Sequence, residues 1–140
     1  MKKKTIIILI AILTLATSNA NAGKLSKQEK INQINQAGDK VLTCAAYFAK
    51  KYDSLSKRGS SDKTMKVYYN HAMKSSEVVK DLLLLTNKSE KDLEKMLERA
   101  VIKLTKQPEL LSAPNLEKNC IAINKNPIKE LKLTKIIKHK

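Results

Sequence analysis

Cys44 and Cys120 are the only cysteines in this 140-residue chain, and they are the side chains with the most chemistry to offer. Cys44 stands within KVLTCAAYFAKKYDSL (Lys40–Leu55), and Cys120 closes NLEKNC (Asn115–Cys120). Such a pair can ligate a metal, attack a substrate or form a bond with itself. Zinc takes about four ligands, and beyond the thiols the chain offers only His71 and His139, in no tight pair. A cysteine nucleophile needs an adjacent base and a lowered pKa, and His71 supplies that base only if packing carries it to a thiol. An even cysteine count in an oxidising compartment is normally paired, and only one pairing exists here. The two cysteines therefore read as a staple, with closure of so long a loop worth roughly 4 kcal/mol.

The compartment is read from the first line. MKKK is cationic, TIIILIAILTLAT (Thr5–Thr17) is apolar, and SNANA puts small residues at Ala20 and Ala22, the Ala-x-Ala pattern of a secretory leader. The apolar run falls short of the roughly 18–20 residues that span a bilayer. The expectation is a cleaved signal over residues 1–22 and a periplasmic or secreted product. Gly23 follows where a lipoprotein would need cysteine.

Other chemical candidates are few. VYYNHAMK (Val67–Lys74) gathers Tyr68, Tyr69 and His71 on one turn, as a polar contact patch or as amphipathic side chains packed at a core edge. Carboxylates are spread along solvent faces, and neither a glycine-rich phosphate loop, G-x-S-x-G nor H-E-x-x-H occurs. The reading is a protein without catalysis, cofactor or metal.

The elements that position these residues are helical almost throughout. Gly and Pro number three each and, apart from Gly38, fall between periodic segments. SKQE (Ser26–Glu29) has the form of a capping box, and behind it Ile31, Ile34, Val41, Ala45, Phe48, Tyr52 and Leu55 form one stripe, with a longer step at Gly38. KRGSSD (Lys57–Asp62) ends that helix and caps the next, whose expected stripe is Met65, Tyr68, Tyr69, Ala72, Ser76, Val79 and Leu83. Ser89 opens a third helix with Leu93, Met96, Leu97, Ala100, Val101 and Leu104 inward. Pro108 suits a short turn, and a short fourth helix is expected from Pro114, capped by Ser112, with Leu116, Cys120 and Ile123 on one face. The predicted fold is all-α: an up-and-down bundle of about four helices over residues 23–126, stapled by one disulfide.

Residues 127–140 form a basic tail, with Lys129, Lys132, Lys135, Lys138 and Lys140 against Glu130 alone. Placed on one continuous helix, its aliphatic residues point in several directions, so the tail is expected to leave the core to the bundle and to lie on an anionic surface or in solvent. The whole chain carries 28 Lys+Arg against 13 Asp+Glu, a formal charge of +15. Only Arg58 and Arg99 are arginine. Export and the scarcity of forked guanidinium groups argue against nucleic acid as a partner.

CAAYFAKKY in the first helix and NLEKNC in the last resemble the small two-cysteine helical proteins of bacterial periplasms, through Cys44, Ala45, Ala46, Tyr47, Asn115, Leu116 and Cys120. Similar architectures occur among immunity proteins that block type VI amidase effectors and among acid-stress periplasmic chaperones. The chaperones are shorter and mix their charges, unlike this cationic chain. The resemblance implies a framework and carries over no functional residues. The sequence thus points to a non-catalytic envelope protein that binds another protein, with adsorption to anionic lipid or polysaccharide as the competing reading, followed by a stress chaperone.

Overall fold

A computed structural model describes residues 24–137; the expected leader over residues 1–22, Lys138 and Lys140 lie outside the described residues. The elements are α1 (Lys27–Lys57), α2 (Asp62–Leu84), α3 (Glu90–Lys106), a 3-10 turn (Pro108–Ser112), α4 (Leu116–Lys125) and α5 (Pro127–Glu130). No strand occurs among the described residues. The fold is an all-α bundle tied by the Cys44–Cys120 disulfide.

Local chemistry sets the helix ends. Ser26 and Glu29 form the capping box expected of SKQE, and Ser89 forms a second with Asp92. Gly59 takes the left-handed φ of 68° that ends α1, and Ser61 then caps α2. The fourth helix starts later than expected, at Leu116, behind a left-handed Asn115 and without a side-chain cap. Pro114 forces Ala113 into an extended conformation (φ −57°, ψ 129°), so Ser112 ends the 3-10 turn and cannot cap the helix.

α1 and α2 run antiparallel, with Gly38 against Leu83 at one end and Tyr52 against Tyr69 at the other. A Cβ at Gly38 would lie 2.8 Å from Leu83 Cδ2. The longer step in the α1 stripe is therefore where the Leu83 side chain of α2 packs directly onto the α1 backbone. Around it Ile34, Ala37, Val41 and Leu42 pack on Val78, Val79, Leu82 and Leu83, flanked by Leu93, Met96 and Leu97 of α3. On α2 the inward stripe includes fully buried Ser75, whereas Ser76 is only half-buried and Tyr69 is 51% exposed.

The C-terminal segment overturns the expectation of a tail apart from the core. Leu133, Ile136 and Ile137 are 1–2% exposed and complete the cluster around Ile34 and Leu83. The cause is a Schellman turn. Lys132 adopts φ 57°, its N–H donates to the Lys129 carbonyl, and Leu133 N–H donates to that of Ile128. Helical periodicity stops at Glu130, so the aliphatic residues scattered on a continuous helix here turn to one side. Lysine in this conformation carries a strain of about 1 kcal/mol that glycine lacks. Lys132→Gly should raise stability by about that amount, read as a higher melting temperature.

Candidate functional site

The cysteines join α1 to α4 across a sequence separation of 76, with Cα atoms 5.4 Å apart and both side chains buried. Bonded sulfur is neither thiolate nucleophile nor ligand. Replacing Cys44 with Ser should cost about 4 kcal/mol. Thiol titration of the oxidised, denatured protein should find no thiol, and two reactive thiols would contradict the bond.

Three residues before Cys120, Glu117 shares its face of α4. Its Oε2 accepts from Tyr47 Oη of α1 at 2.8 Å, and its Oε1 from Tyr68 Oη of α2 at 2.9 Å. One carboxylate thus binds α4 to both long helices beside the disulfide. Burial, and secondarily the Glu117 carboxylate, push the Tyr47 and Tyr68 phenols above the ordinary value near 10. The folded state then holds these protons more tightly than the unfolded chain, so the associated stability is intact below pH 10 and declines as pH rises beyond it. Thermal unfolding from pH 8 to 11.5 should show this alkaline loss, and a Tyr47→Phe/Tyr68→Phe variant should lose less over the same interval.

The Tyr68, Tyr69, His71 group does not form one patch. His71 stacks on Phe48 with ring centroids 4.9 Å apart, and its carbonyl accepts from Asn124 Nδ2 of α4. Ser75 Oγ donates to Asn124 Oδ1 at 2.9 Å, a buried pair with both partners satisfied. Tyr68 and His71 therefore belong to the joint between α2 and α4. Tyr69 turns the other way, to Tyr52, with ring centroids 5.9 Å apart. Consecutive helical residues differ by about 100° in direction, which separates Tyr68 from its neighbour. Glu117 escaped the sequence reading; its one signal was a carboxylate one turn before a cysteine on the same helical face.

The surface left outside this joint is basic. Lys129, Lys132 and Lys135 are exposed, while the aliphatic residues between them are partly or fully buried. Among the described residues, ion pairs engage only Lys57 with Asp53, Lys74 with Glu77 and Lys80 with Glu90. A groove between α1 and the 3-10 turn is lined by Lys50, Lys51, Asp53, Lys57 and Leu111. Another lies over the disulfide, between Lys40, Thr43, Asn119, Glu130 and Leu131. A third is lined by Tyr52, Asp62, Met65, Lys66 and Tyr69. Among the described residues no cluster of three or more His, Cys, Asp or Glu is placed to hold a metal, and no helix is long and apolar enough to cross a membrane.

No protein-family model matches the chain, and searches of curated proteins and of solved structures give no match either.

Proposed function

We propose that this chain is a non-catalytic binding protein of the bacterial envelope, acting on a protein partner with an acidic face as an inhibitor or immunity protein does. The observation that carries this reading is a basic surface mounted on a scaffold fastened beside its disulfide. α4 is held to α1 by Cys44–Cys120 and to both long helices by Glu117, while most lysines project outward without a carboxylate partner among the described residues. A fixed scaffold loses little conformational entropy on binding, and unpaired positive charge accelerates encounter with an acidic protein. The leader-like first 22 residues and the disulfide support export.

Adsorption to anionic lipid is the weaker reading. Its aliphatic component was to come from the C-terminal segment, and Leu133, Ile136 and Ile137 are withdrawn into the core. The two separate by experiment. Immobilised protein exposed to envelope extract should retain one saturable partner at fixed stoichiometry. Graded, salt-sensitive retention on anionic vesicles with no protein partner would favour adsorption instead.

A further inference from the structure

Met65, Tyr69 and Met73 recur at intervals of four on α2, which puts them on one outer stripe, and Tyr52 of α1 meets Tyr69 beside them. Tyr69 and Met73 are 51% and 47% exposed, and Met65 and Tyr52 are half-buried. The other large exposed apolar residues sit apart: Ile102 on α3, Leu84 at the far end of α2, and Val67 on another face of the helix. A lone exposed side chain needs no explanation, but four adjoining ones that include two tyrosines and two methionines form a surface. Tyrosine is enriched among the residues that dominate interface energetics, and the unbranched thioether of methionine adapts to a partner's contour.

We infer that this Tyr52–Met65–Tyr69–Met73 surface is where the protein partner docks, and that the partner presents an aliphatic or aromatic side chain ringed by carboxylates. The inference rests on the binding reading above and gives it a location. The charge around the stripe selects the occupant. Lys66 lines the groove, and Lys63 is exposed three residues before it. Of the nearby carboxylates, Asp62 lines the same groove in the first turn of α2, where the helix dipole already favours negative charge, Asp53 is engaged by Lys57, and Glu77, one turn beyond Met73, is engaged by Lys74. An acidic rim on the partner finds lysines opposite it. A second copy of this chain would bring lysine against lysine, so the geometry favours a different protein over a homodimer.

The test uses a fluorescein-labelled helical peptide with leucines on one face and glutamates on the others, beside a polyglutamate of equal charge, read by fluorescence anisotropy on the full chain. The amphipathic peptide should bind more tightly than polyglutamate. Tyr69→Ser and Met73→Ser should each weaken it by about tenfold, whereas Ile102→Ser should leave it unchanged. Circular dichroism melting checks that each variant is folded; Met73→Ser, at a side chain outside the Tyr52–Tyr69 contact, keeps the test valid should Tyr69→Ser lose stability. Equal binding of the two peptides, no binding of either, or an unaltered affinity in Tyr69→Ser would overturn the inference. So would a dimer in sedimentation that Tyr69→Ser dissolves, because the stripe would then be a self-contact. The envelope-extract experiment separates the two proposals: a partner retained equally by wild type and Tyr69→Ser leaves the binding function standing and removes this surface from it.

Discussion

A chain ending at Asn126 should fail to fold cooperatively. Truncation there removes Leu133, Ile136 and Ile137, each 1–2% exposed, and with them the partly buried Ile128 and Leu131. Burying one such aliphatic side chain is worth about 1.5–3 kcal/mol, so the three buried ones together approach the whole 5–15 kcal/mol by which a typical domain is stable. The loss also uncovers Ile34, Val41, Val79 and Leu83, which they seal. Thermal and urea unfolding followed by circular dichroism should show a broad transition, or none, where the full chain gives a sharp one. A melting temperature within a few degrees of the full-length value would show that these residues are dispensable. Ile136→Asp in the intact chain should act in the same direction and separates packing from chain length.

Leu83→Asp should be the most damaging single substitution in the bundle. Leu83 is fully buried and lies against Gly38 of α1. The replacement removes an aliphatic side chain, worth about 2–5 kcal/mol in a packed core, and also introduces a carboxylate with no cation within the cluster. Together these exceed the roughly 4 kcal/mol expected for loss of the disulfide. Denaturant titration should find the variant unfolded, or with a midpoint far below wild type. Leu97, which is only half-buried on α3, should tolerate the same change better. A near-wild-type curve for Leu83→Asp would mean that the register of α2 against α1 is wrong.

How far these features were legible from residues alone depended on the range of the forces behind them. The capping box at Ser26, the cap at Ser89 and the glycine turn at Gly59 follow from chemistry within four residues, and all three were readable, although the reciprocal bond from Asp92 that completes a second box at Ser89 was not read. The bundle class followed from the spacing of apolar residues, and the cysteine pairing from there being only two. The tail was misjudged because its Schellman turn centres on a lysine, a residue that rarely adopts a left-handed conformation and gave no warning of one. Without that turn the positions of Leu133, Ile136 and Ile137 cannot be phased. The role of Glu117 was hidden for another reason: its two phenol donors are 70 and 49 residues away, and no local pattern encodes such a contact. Tyr69 was grouped with Tyr68 by adjacency, while the helical angle between them sends one to the joint and the other to solvent.

The burial of Ile136 and Ile137 against Ile34 also governs the order of events in the birth of the molecule. Contacts that link the first long helix to the last described residues form only after almost every intervening residue has been made, and such long-range closure slows folding. While the chain emerges from its N-terminal end, α1 and α2 can meet, but Ile34, Val41, Val79 and Leu83 stay incompletely covered until residues 133–137 arrive. Closure of the core therefore waits for residues 133–137. Until then the apolar surface of α1 and α2 that these residues cover is exposed, and that is the interval in which such a chain is most open to aggregation.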